Sequence, residues 1–318
     1  MGSNPKRARK VKEKNRLRLL RERKSRKVAR SGDGPPRDQT VSVDDDFPEI
    51  TNLPPRTIVE RAMRGMFGSA PGGMQGRRDK AQDLAYEAME ADDAETAGTL
   101  ALQAIRLDPE CTDALHLLAE LDHCTTDQFV ARLRKTVDAG ARRLGRGFFE
   151  ENKGYFWGLL ETRPYMRARA SLAQALAESG RMEEAIGHYQ EMLELNPNDN
   201  QGLRDLLLGL YLERGDLDGA RRLFKQYENG YSAVFAWARV LERLLAGDET
   251  GADKALKEAR NCNNFVAGYL TGRKKLPAES PDYYSPGKDS EAVVCMQCIG
   301  AAWKRHPDAV AWLKRAKA

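Results

Sequence analysis

From about residue 78 onward, apolar residues recur at intervals of three and four, and no strand-like alternation interrupts them for long. That spacing places one apolar stripe on each of a series of helices and predicts an all-α chain. Ahead of it the pattern changes twice. Residues 57–67 hold Ile58, Val59, Ala62, Met63, Met66 and Phe67 near helical spacing, which predicts a short amphipathic helix. The stretch GSAPGGMQG that follows predicts a flexible break closing a segment of 57–77. Residues 1–30 contain too few apolar positions (Leu17, Leu19, Leu20, Val28) for a packed face. They predict a disordered arm, joined by a Gly-, Pro- and Asp-rich linker reaching residue 56.

Within the periodic region two segments align. ARASLAQALAESGRMEEAIGHYQEMLELNPND is followed by LRDLLLGLYLERGDLDGARRLFKQYE. Leu176 corresponds to Tyr211, Gly180 to Gly215, Ala185 to Ala220 and Tyr189 to Phe224, always 35 positions apart. A fixed period with small and bulky residues in the same slots is the mark of stacked helix pairs. Small residues (Ala173, Ala185, Ala220) permit close crossing, while Leu172, Tyr189, Tyr211 and Phe224 fill the gap to the next helix. Gly180 and Gly215 fall where the first helix of each pair must end. Pro197 ends a second helix.

On these residues, Met166–Asp199 resembles a tetratricopeptide repeat, a helix–turn–helix unit of about 34 residues. Ala173, Ala185, Tyr189 and Pro197 occupy the family's small, small, aromatic and proline positions, and Arg169 stands where the family has Trp. Residues 201–234 resemble a second unit through Tyr211, Ala220 and Phe224. Residues 78–111 resemble another through Ala85, Ala97, Ala104 and Pro109, and 233–266 a degenerate one through Val240, Gly247, Ala252, Leu256 and Ala259. The resemblance implies a right-handed α-α superhelix over 78–266, interrupted by an irregular insert at about 112–165. It further implies a peptide or protein partner on the concave side, lined by first helices. Arg167, Gln174, Asp205 and Leu212 take lining positions. The paired Lys and Asn with which some family members clamp a terminal carboxylate are not reproduced. Residues 267–318 propose two last helices that cap the stack.

The insert ends in the chain's densest aromatic segment: Phe148, Phe149, Tyr155, Phe156, Trp157 and Tyr165 fall within eighteen residues, six of 23 aromatics in all. Glu161, Arg163, Arg167 and Arg169 follow or interleave. One reading is an amphipathic ligand surface using Tyr155, Trp157, Glu161 and Arg163. The other is a structural plug between the insert and the repeats, and buried aromatics more often pack than recognise.

Charge adds a second element. The net charge of +5 hides fourteen Lys or Arg and two Glu within residues 1–30, leaving 38 basic and 45 acidic residues for the rest. Lys6, Arg7, Arg9, Lys10, Arg23, Lys24, Arg26 and Lys27 are candidates for contacts with nucleic acid, a ribosome or another polyanion by counterion release. No aromatic residue in the arm offers base stacking, so such binding would tolerate any sequence. PKRARK resembles a nuclear-import address in a eukaryotic cell.

Catalytic chemistry is poorly represented. The four histidines are dispersed, no H-E-x-x-H or phosphate-binding loop occurs, and Glu150–Glu151 and Glu183–Glu184 are adjacent rather than convergent. Cys295 and Cys298 form a lone C-x-x-C among Val293, Val294, Met296 and Ile299, which suits a helix interface better than zinc. Five scattered cysteines and no apolar leader or membrane-length run predict a cytoplasmic, non-enzymatic scaffold without cofactor or metal. A polyanion-binding factor is the alternative, and oligomeric state stays open.

Overall fold

In the structure, a computed structural model, the described residues are 59–60, 62–63, 73–228, 232–281 and 283–316. The basic arm with its eight candidate residues, and the linker after it, lie outside them. Among the described residues the fold is all-α, with fourteen α-helices and no strand, as the periodicity predicts. The chain divides into two compact units, Met1–His123 and Cys124–Ala318. The division falls inside the stretch read as one irregular insert.

In the first unit, α1 (Gly73–Glu90), α2 (Ala94–Leu107) and α3 (Thr112–Leu121) pack on one another. Helix α1 begins five residues earlier than the apolar pattern implied, within the expected break. No proline follows Pro71 to stop it, and an interior Gly costs only about 1 kcal/mol. The core is built of alanines: Ala81, Ala85, Ala88, Ala101, Ala104 and Ala114, with Cys111. Such small side chains bring helix axes close. Asp93 caps α2 through the Thr96 amide at 2.8 Å. Glu60, in the short helical piece before α1, is buried and accepts a hydrogen bond from the Tyr86 hydroxyl at 3.2 Å.

The second unit starts with α4 (Thr126–Leu144), entered through a capping box between Thr125 and Gln128. A short α5 (Arg146–Asn152) and two 3₁₀ turns, Phe156–Gly158 and Leu160–Thr162, lead to the repeats. These are three helix pairs: α6 (Arg163–Glu178) with α7 (Met182–Leu195), α8 (Leu203–Arg214) with α9 (Leu217–Gln226), and α10 (Ala233–Leu245) with α11 (Glu249–Cys262). Each pair turns the same way. Gly180, Gly215 and Gly247 have φ of 81°, 74° and 75°, a left-handed conformation that side chains resist. The amide after each glycine then closes the helix end: Arg181 to Leu176, Asp216 to Tyr211 and Asp248 to Arg243, at 2.8–2.9 Å. Asp216 and Asp248 cap the following helix.

All the packing residues singled out in the sequence are buried: Leu172, Ala173, Ala185, Tyr189, Tyr211, Ala220 and Phe224. The stack is cross-linked by Gln190 donating to the Tyr211 hydroxyl at 2.7 Å and by an edge-on Phe224–Phe235 contact at 5.7 Å.

After α12 (Phe265–Leu270), a non-helical link leads to α13 (Asp289–Arg305) and α14 (Pro307–Arg315). Helix α13 lies along α8 most extensively, and also on α10 and α12. Its apolar stripe drives that packing: Ala292, Val293, Cys295, Ile299, Ala302 and Trp303 are all buried.

Candidate functional site

The aromatic segment is held by its own rings. Phe156 is fully buried, 5.0 Å from Phe149 and 6.3 Å from Tyr165, while Phe149 meets Tyr165 edge-on at 5.2 Å. The Thr162 hydroxyl donates back to carbonyls of the 3₁₀ turns and fixes the bend. Of the four candidate ligand residues here, Arg163 donates to the Trp157 carbonyl at 3.1 Å and its guanidinium lies 5.3 Å from the Trp157 ring. Glu161 is exposed, and Tyr155 is 75% exposed. The segment thus divides into a packed plug and a solvent-facing tyrosine.

One turn further, Arg169 occupies the slot the family gives to Trp. It is buried, donating to the Tyr165 hydroxyl at 2.8 Å, to His188 Nδ1 at 3.2 Å and to the Glu191 carboxylate. Accepting at Nδ1 keeps the His188 ring neutral with its proton on Nε2. Burial, then the Arg169 charge, pushes the His188 pKa down. The guanidinium replaces indole area with three bonds, one within α6 and two across to α7.

The face formed by the first helices carries the remaining candidates. Gln174 is exposed on α6 and bonded to Glu178 at 3.0 Å; Arg167 is half-buried about two turns before it. Asp205 and Leu212, one repeat later, lie under α13. Leu212 is fully buried, and its carbonyl accepts a hydrogen bond from His306 Nε2 at 3.0 Å. Gly209 lies between them, and a Cβ there would come within 2.0 Å of the Cys298 carbonyl oxygen. Helix α13 therefore rests on bare α8 backbone. Trp303 reaches over to Trp237 of α10 with ring centres 6.4 Å apart.

The start of α13 is tied down by Glu291. Its buried carboxylate accepts from the Gly287 amide at 2.8 Å, Asn263 Nδ2 at 2.9 Å and the Ala233 amide at 3.3 Å. Asp205 differs. Its Oδ1 is enclosed and accepts no hydrogen bond. Burial, with Asp199 and Glu291 nearby, pushes its pKa up to about 6, although the charge of Arg204 pulls the other way. Arg204 itself is directed to Asp199 at 3.7 Å and to the Tyr227 ring at 5.1 Å. Cys298, above Asp205, has its thiol pushed up to about 12 by burial and then by Asp205; burial holds the Cys295 thiol well above its usual value. Both are neutral packing groups at the crossing, not thiolate nucleophiles. Among the described residues no group of three His, Cys, Asp or Glu is placed to hold a metal ion.

Residues 176–244, from the end of α6 through α10, match the family model of the tetratricopeptide repeat. Residues 176–244 are tetratricopeptide-repeat sequence. No curated protein matches the chain. Among the described residues no helix is long and apolar enough to cross a membrane. Tetratricopeptide repeats are in general an interaction fold for protein partners rather than an enzymatic one.

Sequence reasoning singled out Asp205 and Leu212 but missed the residues that seat α13 over them: Gly209, Glu291 and Trp303. A signal existed for the first. A glycine inside LRDLLLGLYLER weakens that helix by about 1 kcal/mol against alanine, which a close backbone approach repays.

Proposed function

We propose that the protein is a non-enzymatic, cytoplasmic scaffold that holds a protein or peptide partner on the first-helix face of its repeats. The observation that carries this reading is the uninterrupted run of three helix pairs with identical turns, within which the family match lies. Such a run exists to present a continuous surface, since each pair completes its core only by stacking on the next. On α6 the face is open at Gln174, with Arg167 beside it; on α8 it is covered. The α6 portion, with the exposed Tyr155 and Glu161 before it, is the surface assigned to the partner.

The test is recovery of bound proteins on immobilised full-length protein, on a form lacking residues 1–30, and on Gln174→Arg. The scaffold reading expects one partner set retained without the arm and weakened about tenfold, near 1.4 kcal/mol, by Gln174→Arg. It fails if Gln174→Arg changes nothing and removal of the arm empties the bait.

A second reading rests on the fourteen basic side chains in residues 1–30, which suit a nucleic acid or another polyanion. It expects binding of a plain duplex to fall steeply with salt and to vanish with the arm.

A further inference from the structure

We infer that the first-helix face of α8 and α10 is a helix-binding site filled internally by α13, and that the partner able to replace α13 is a helix carrying a lysine or arginine opposite Asp205. This deepens the scaffold reading and rests on it.

Three observations carry the inference. The site accepts a helix because one is seated there, and it accepts it at backbone distance only because position 209 has no Cβ. The site also holds a charge that its present occupant does not answer. Around Asp205 stand Arg204 on its own helix, Asp199 in the preceding turn, Glu291, Cys295 and Cys298 on α13, and Tyr284 in the link before α13. Among the described residues named here the cation, Arg204, is directed to Asp199 and Tyr227; Glu291 already takes three donors. What α13 brings near Asp205 is two neutral thiols and the Glu291 carboxylate, and no cation. An enclosed carboxylate oxygen without a donor is costly, and a charged donor is its strongest partner. Finally, α13 is joined to α12 by the link Thr271–Lys288, long enough for α13 to leave the face while remaining tethered.

The competition is set by that tether. A covalently attached helix has an effective concentration on the order of millimolar, so a replacement must bring something α13 lacks. The cation is that feature. A second copy of α13 without it gains nothing over the resident helix.

The experiment uses the full chain and two fluorescent synthetic peptides spanning residues 286–308, one of native sequence and one with Cys298→Lys. Anisotropy is expected to show the Cys298→Lys peptide binding at least about tenfold tighter, and Asp205→Asn in the chain to erase the difference. In parallel, iodoacetamide labelling of the buried Cys295, read by mass spectrometry, is expected to rise when that peptide binds, because the resident helix has been lifted. Equal affinities for the two peptides overturn the assignment of a basic partner. Binding without increased Cys295 labelling places the peptide elsewhere and overturns the site. If neither peptide binds, the measurement is repeated on Trp303→Ala, which loosens α13 from α10; failure there too overturns the replacement. None of these outcomes alters partner recovery through Gln174, so the scaffold reading stands or falls separately.

Discussion

Arg169 and Asp205 are both charged residues on first helices of adjacent repeats, and the fold treats them in opposite ways. Arg169 is 6% exposed yet bonded to a tyrosine, a histidine and a carboxylate. Asp205 keeps an enclosed oxygen with no donor. A buried charge costs free energy unless it is paired, so the first is a structural joint and the second is a cost the fold carries. The difference lies in what covers each. Helix α7 was laid down with complementary groups in the same repeat. Helix α13 arrives from the far end of the chain and brings Asp205 two thiols and a carboxylate but no cation.

The largest way to break this comparison is to deny α13 its seat. Gly209→Val places side-chain carbons where the Cys298 carbonyl lies, so α13 must shift. We expect a loss of about 3 kcal/mol or more in denaturant unfolding, with Cys295 becoming alkylatable under native conditions. Unchanged stability would show that α8 and α13 are not in backbone contact.

Next comes the satisfied charge. Arg169→Met removes donors from the Tyr165 hydroxyl and His188 and should cost about 2 kcal/mol. It should also raise the His188 pKa toward its ordinary value, as read by NMR titration of the ring, since part of the depression comes from the Arg169 charge. The sign follows. A depressed histidine pKa costs stability as pH falls below about 6.5, and the variant should lose part of that acid sensitivity.

The unsatisfied charge should behave in the opposite sense. For Asp205 the folded-state pKa is up to about 6, above the ordinary 3.8. Protonation therefore favours the folded state. That stability is complete below about pH 4 and is lost as pH rises through about 6. Asp205→Asn should stabilise the protein by roughly 1–3 kcal/mol at pH 7.5 and by little at pH 4, measured as the difference between denaturation curves at the two pH values. Destabilisation at pH 7.5 would mean that the carboxylate has a partner.

The smallest effect belongs to the solvent-facing aromatic. Tyr155→Ala should leave stability within about 0.5 kcal/mol, whereas Phe156→Ala, one residue on, should cost about 3–5 kcal/mol. Equal losses would put Tyr155 in the plug.

Much of the repeat architecture was legible beforehand because its rules are local. Ala173, Ala185, Ala220, Tyr189 and Phe224 recur at a fixed offset, and Gly180 and Gly215 follow from the left-handed turn each pair requires. The start of α1 at Gly73 was not legible, since glycine signals both a break and a tolerated helix position. Nor was the division at His123, which falls between helices of similar pattern. The placement of Asp205 on the lining face came from register within one repeat. That it would be covered did not, because nothing near residue 205 refers to residue 298.

By itself, then, the sequence determined the helices, their pairing, the turns between them and the acidic–basic asymmetry of the chain, all properties set by neighbours within one repeat length. Only the tertiary structure decided that Arg169 is paired, that the aromatic segment packs mainly on itself, and that α13 lies on α8. The first two depend on which side chains meet once the helices are packed, and the last on apolar faces meeting across ninety or more residues, as His306 meets Leu212. Helical periodicity specifies that a face must be buried, but not against what.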